Sequence, residues 1–170
     1  MKRMLVMILV LVVGPSLGFA GEAGQVANDA VVALDEAGTP IVLLRYDATE
    51  FFGHHVHNAV LEWVLPTMPN DRTTEYAVYP VMAPWSVASV NAERLPKLGE
   101  DPLDMWDFTP NDYQRSGRSI IRLQVHELVR GWSTGEANYG LAIVSADFDR
   151  ATVSAMLNQA KLRVWHEKLD

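Results

Sequence analysis

Between residues 120 and 144 the spacing of the apolar side chains changes twice, and that change restricts the folds open to the chain. Ile121, Leu123 and Val125 alternate with Arg122 and Gln124, the period of two of a half-buried strand. Val125, Leu128, Val129 and Trp132 then fall three and four apart, as on one face of a helix. Gly131 and Gly135 flank a polar loop, after which Tyr139, Leu141 and Ile143 resume the alternation. The reading is a strand, one short helical turn near residues 126–132, a loop, and a strand returning to the same core. No evident catalytic group falls in it.

The period of two recurs elsewhere. Residues 30–34, 41–46, 59–65, 76–82, 151–157 and 162–165 read as further short strands separated by Pro and Gly clusters. The run 41–46 is apolar almost without a break, which predicts burial on both faces. Pro80 cannot donate to a strand ladder, so the segment 76–82 is expected at an edge or a bulge. Residues 83–114 carry four prolines, but also Trp85, Trp106 and Phe108, which need somewhere to pack. That segment is read as an ordered cover rather than a linker. With no long helical period anywhere, the fold class expected is an all-β antiparallel sandwich. Leu61, Trp63, Leu123, Val125, Leu141, Ile143, Leu162 and Val164 should face the space between its sheets.

The chain opens with Lys2 and Arg3, an uninterrupted apolar run over 4–13, a Gly14-Pro15 break, and small residues at Gly18 and Ala20. That order is the one found in a secretory signal peptide, here residues 1–20, with an uncleaved anchor as the alternative. The apolar run is short for a bilayer crossing. Cleavage after Ala20 leaves 150 of the 170 residues, with 21–28 as a flexible lead-in and 29–170 as one domain. No transmembrane span is expected after cleavage, and the compartment expected is secreted, periplasmic or cell-surface, by bacterial-type export. Losing Lys2 and Arg3 takes the formal charge from −7 to −9, the wrong sign for binding nucleic acid. The absence of cysteine excludes disulfide staples, thiol chemistry and lipid attachment through an N-terminal Cys.

Five segments in order resemble the DNRLRE-type domains of bacterial and archaeal cell-surface and secreted proteins. IVLLRYD resembles a family strand ending in an aromatic-Asp pair, and HNAVLEWVL its next strand. AVYPVMAPWSVASV is similar to the motif that runs through Trp-Ser into Ser-Val, HELVRGWSTGEANYGLAIV to the Leu-Val turn and Asn-x-Gly-Leu loop, and KLRVWHE to the closing strand. The chain departs from the pattern at Asn91-Ala92, where the family places a Trp, and in a shortened N-terminal strand pair over 26–34. The resemblance implies a jelly-roll-like β-sandwich, and some members of the family are carbohydrate-binding modules. It therefore implies a non-catalytic module whose partner is a polysaccharide or another cell-envelope component. A structural or assembly protein of the envelope is the alternative.

Three sets of residues are candidates for a site. Trp85, Trp106 and Trp165 are the tryptophans expected to expose a ring for stacking on a sugar face, whereas Trp63 and Trp132 fall on core stripes. Arg118 and Arg122 fall four apart within a run of arginines, and guanidinium groups suit carboxylates or sulfates of acidic polysaccharides. His55 and His57 share a face of an extended segment with Val56 pointing inward, so both imidazoles could reach one metal ion. With His54, and with Glu50, His126 or His166 as further ligands, that cluster opens the reading of a small metal-dependent hydrolase; solvated loop histidines are the plainer one. Asp35, Asp147 and Asp149 leave room for a structural Ca²⁺, as the histidines do for Zn²⁺, but no spacing motif fixes either ion.

Overall fold

The computed structural model describes residues 21–35, 37–65, 73–90, 94–109 and 120–168. Residues 1–20, read above as a signal peptide, the Asn91-Ala92 departure and Arg118 lie outside the described residues. In chain order the elements are β1 (Gly21–Val26), β2 (Asp29–Leu34), β3 (Pro40–Arg45), a 3₁₀ turn (Thr49–Phe51), β4 (His54–Val64), β5 (Thr74–Pro80) and β6 (Asp104–Phe108). There follow β7 (Ile120–Gln124), helix α1 (His126–Ser133), β8 (Leu141–Val144), helix α2 (Arg150–Gln159) and β9 (Lys161–Lys168).

Among the described residues the strands form two antiparallel sheets, ordered β1-β9-β4-β7 and β2-β3-β8-β5-β6. The pairs are nested: β1 with β9, β3 with β8, β4 with β7, β5 with β6. One long antiparallel ribbon wrapped over itself gives that nesting, so the connection is that of a jelly roll. β2 is an added strand, joined to β3 by a tight hairpin and lying at the edge of the second sheet. Gly38, at φ +83°, reverses the chain there, and the Asp35 carboxylate accepts from Thr39 N at 2.7 Å.

The alternation read from the sequence builds the core. All eight residues expected between the sheets belong to one buried cluster, joined by Val42, Leu44, Val78 and Phe108. The continuous run in β3 is buried on both faces, as expected. Val42 and Leu44 face the space between the sheets, while Ile41 and Leu43 belong to a second cluster with Val81, Trp85 and Ala142. The proline-rich segment contributes Trp85 to that second cluster, with Val87, Leu95 and Leu98 packed against it. Backbone bonds tie the cover down: Met82 N to Lys97 O at 2.8 Å, and Gly99 N to Pro80 O at 2.9 Å.

Four expectations are corrected. Residues 21–26 are not a flexible lead-in but β1, paired with β9 over the full register from Gly21↔His166 to Val26↔Lys161. Its small residues have little strand propensity of their own; the unpaired edge of β9 supplies the order. Residues 151–157 are not a strand but the middle of α2, capped by Asp149, whose carboxylate accepts from Thr152 N at 2.6 Å. Its buried Thr152, Ala155 and Met156 fall three and four apart, a helical spacing. β6 was hidden in the irregular segment, where Met105 points out and Trp106 packs inward. β5 lies between β8 and β6 rather than at an edge. Pro80 closes that strand beyond the last β5–β6 pair at Val78, where the β6 ladder no longer asks for an N–H.

The helical turn expected near 126–132 is present as the two-turn helix α1, with Val129 and Trp132 buried beneath it. Among the described residues no helix is long and apolar enough to cross a membrane.

Candidate functional site

At the end of the sandwich where β3 runs into β4, two loops meet. The first leaves β3 at Tyr46, whose ring is buried and whose hydroxyl donates to Ala160 O at 3.4 Å. Burial pushes the Tyr46 phenol well above its usual titration range, so it stays neutral. Asp47 follows, and its carboxylate accepts from Thr49 N at 2.9 Å and Thr49 Oγ1 at 2.6 Å. Those two bonds hold the carboxyl below the ordinary aspartate value, so Asp47 is an anion at neutral pH. The 3₁₀ turn then sends Phe51 into the core and leaves the Phe52 ring 66% exposed. Gly53, at φ +75°, turns the chain into β4, and its N–H donates to Ser133 O at the end of α1.

The second loop runs from α1 to β8. Gly135, at φ +102°, reverses it beneath the Phe52 ring. Asn138 ties it to the first loop by donating Nδ2–H to Tyr46 O at 2.7 Å, while its Oδ1 accepts from Gly140 N at 3.0 Å. Glu136 folds back over the helix: its N–H donates to Gly131 O, and its carboxylate occupies the space that a β-carbon on Gly131 would need. Gly140, at φ +88°, passes so close to β3 that a β-carbon there would collide with Leu44 O.

Between the two loops lies an open depression of about 440 Å³. Trp132 forms its floor, Phe52 stands at its rim, and Asp47, Thr49, Glu136 and Asn138 supply its polar groups. Trp132 is only 3% exposed, and its indole N–H has no hydrogen-bond partner among the described residues. An apolar face, a few convergent polar groups and a concave shape are the general features of a small-ligand site.

The residues singled out in the sequence are elsewhere. Trp85 is not an exposed platform: it is buried in the second cluster, its Nε1–H donates to Tyr139 O at 2.6 Å, and Arg45 lies over its ring. Trp106 is half-buried, with its ring against the main core. Trp165 alone of the three keeps an outward, half-exposed ring, on the outer face of β9 in register with Asn58 and Glu22. Arg122 lies on the same sheet face, but in register with Glu62, four residues further along β4 and two strands across from Trp165, roughly 16 Å away. Its guanidinium is engaged by Glu62, which also binds Arg163, and Arg163 in turn binds Glu22. The outer face of this sheet is thus a closed ladder of alternating charges rather than a free basic patch.

The histidines do not converge either. His55 and His57 do share a face across the buried Val56, their rings 4.6 Å apart, with a bulge at His57. His57 meets Glu167 at 3.4 Å. His54 turns to the other side, where its Nδ1 lies 2.7 Å from His166 Nδ1, and His126 Nε2 meets Val56 O. Asp35 sits in the β2–β3 hairpin, Asp147 N–H donates to Ser145 Oγ in the loop after β8, and Asp149 caps α2. Among the described residues no three His, Asp or Glu side chains are grouped to hold a metal ion.

Sequence reasoning missed Phe52, Asp47, Glu136 and Asn138. One signal was present: Phe51-Phe52-Gly53 places two large rings in adjacent positions before a turn, and a chain in that geometry buries one and exposes the other. Neither the family models nor the curated proteins compared with this chain match it.

Proposed function

We propose that this chain is a non-catalytic β-sandwich module that binds a glycan or another cell-envelope component, and that the ligand enters the depression beside Phe52. The observation that carries the reading is the Phe52 ring itself. A large aromatic side chain exposed at the rim of a concavity, with two carboxylates, a hydroxyl and an amide around it, presents what a sugar ring needs. The apolar C–H face stacks on the ring while the hydroxyls find acceptors and donors beside it. Asp47, held ionised by its two bonds from Thr49, is an acceptor for a ligand hydroxyl. The reading takes residues 1–20 as a signal peptide and the module as exported, to where such ligands occur.

The test uses residues 21–170 on a glycan array and in affinity electrophoresis. Retention by at least one glycan is expected, with Phe52→Ala abolishing it at an unchanged melting temperature, since an exposed ring contributes little to stability. Retention that survives Phe52→Ala but is lost in Trp165→Ala would move the site to the outer sheet face. No retention at all, with stable homo-oligomers in solution, would replace the reading by that of an envelope assembly protein.

A further inference from the structure

We propose that the depression selects saccharides carrying a free amine, that is, amino sugars, over neutral and uronic-acid sugars; this rests on the glycan-binding reading above. Two carboxylates, Asp47 and Glu136, border the depression from its two loops, and among the described residues no Lys, Arg or His lines it. Neither carboxylate has an ion-pair partner among the described residues, whereas Glu22, Glu62, Asp29 and Glu127 each meet an arginine. Asp47 is held ionised by its two bonds from Thr49. Glu136 is drawn back over the last turn of α1, into the gap left by the missing side chain of Gly131. The field in the depression is therefore negative, in a chain whose formal charge is already −7.

A ligand that fits must bring an apolar face for Phe52 and positive charge for the two carboxylates. An aminohexose has both on one ring: axial C–H groups on a face, and an ammonium at its edge. The ammonium donates to a carboxylate in a charge-assisted bond and gains further from the face of the Phe52 ring. A uronic acid or sulfated sugar would place its anion against Asp47 and Glu136 and is repelled.

Calorimetric titration of residues 21–170 with oligomers of glucosamine, N-acetylglucosamine and glucuronic acid tests this directly. Acetylation removes the charge while keeping the ring face, so the two amino-sugar oligomers form a matched pair. Glucosamine oligomers are expected to bind about tenfold tighter than the acetylated ones, with the gap narrowing as salt is raised and the charges are screened. Asp47→Asn and Glu136→Gln should each reduce that gap about threefold while leaving the acetylated ligand unaffected, and Phe52→Ala should weaken both ligands. Equal affinity for the two oligomers, still dependent on Phe52, would overturn the amino-sugar selection and leave the glycan reading standing. A preference that persists in the Asp47→Asn, Glu136→Gln double variant would show that the general acidity of the domain, not the depression, attracts the amine. Equal binding of a simple alkylamine such as ethanolamine would overturn the sugar class, and failure of all three oligomers would overturn the amino-sugar selection, with the glycan array deciding the wider reading.

Discussion

Truncating Trp132 separates the energetics of this corner into two parts. The side chain is 3% exposed and packs in the main core with Val129 and Phe51, so Trp132→Ala removes a large buried ring and leaves a cavity. Buried aromatic truncations of this kind cost about 3–5 kcal/mol, a large share of the roughly 5–15 kcal/mol that holds a domain folded. At this chain length each kcal/mol lowers the melting temperature by about 2–4 °C, so a fall of roughly 6–20 °C is expected. Trp132→Phe behaves differently. It keeps most of the buried ring and removes an indole N–H that has no partner among the described residues, a buried donor whose desolvation costs about 1–3 kcal/mol. The loss of ring volume and the relief of that donor oppose each other, and the phenylalanine variant is expected within about 1 kcal/mol of the wild type. Urea melts of both variants, compared by midpoint at constant slope, make the measurement. An unchanged midpoint for Trp132→Ala would refute the placement of the ring in the core. A phenylalanine variant as unstable as the alanine one would refute the unpartnered donor.

Two further outcomes follow from the same loops. Gly140→Ala should cost about 3 kcal/mol or more, because it combines a positive φ with a collision against the backbone of β3, whereas Gly38→Ala, at a similar φ in open space, should cost only about 1 kcal/mol; equal costs for the two in thermal melts would remove the collision from the account. His166 is held below its usual pKa by burial first and by His54 second, against the opposing pull of Glu50. The unfolded chain therefore takes up this proton more readily than the folded one, so stability is full above the unfolded value of about 6.5 and falls as pH drops below it. Urea midpoints at pH 7.5 and 5.5 should differ less in His166→Gln than in the wild type, and an identical pH slope in the two would show that the pair does not titrate on unfolding.

Most of the sandwich was legible because a buried face repeats every second residue. Leu61, Trp63, Leu123 and Val125 could be assigned inward from spacing alone, and the helix at 126–133 declared itself by the switch to threes and fours. The elements that escaped are those whose order comes from a partner. Gly-Glu-Ala-Gly-Gln-Val has no apolar stripe, and β1 exists because β9 offers it an unpaired edge. The segment Ala-Thr-Val-Ser-Ala-Met-Leu satisfies both periods in part, and the cap at Asp149, rather than the apolar spacing, decides for helix. Trp85 misled for a related reason. Its neighbours are irregular, so no period placed it, and it is buried because Val81, Val87, Leu95 and Leu98 pack with it against Ile41, Leu43 and Ala142 of β3 and β8.

The candidate site lies on the opposite side of the same argument. Periodicity finds residues that point into a core, and the groups around the depression are those that the core rejects: Phe52 thrown outward by the burial of Phe51, Asp47 occupied with its own turn, Glu136 folded over a glycine. What gathers them is the meeting of the β3–β4 and α1–β8 loops at one end of the jelly roll, fixed by the bond from Asn138 to Tyr46 O and the bond from Gly53 N to Ser133 O. Neither bond leaves a sequence signature, because each joins side chain or backbone groups about eighty to ninety residues apart. The outer sheet face makes the opposite case. Arg122 stands out in the sequence as a charge free to meet a ligand, yet antiparallel register sets it beside Glu62, which also binds Arg163, and Arg163 binds Glu22. In this fold the charges that strand pairing neutralises are the visible ones. At the loop end Asp47 and Glu136 border the depression, and they are of the sign that an ammonium, not a uronate, would meet.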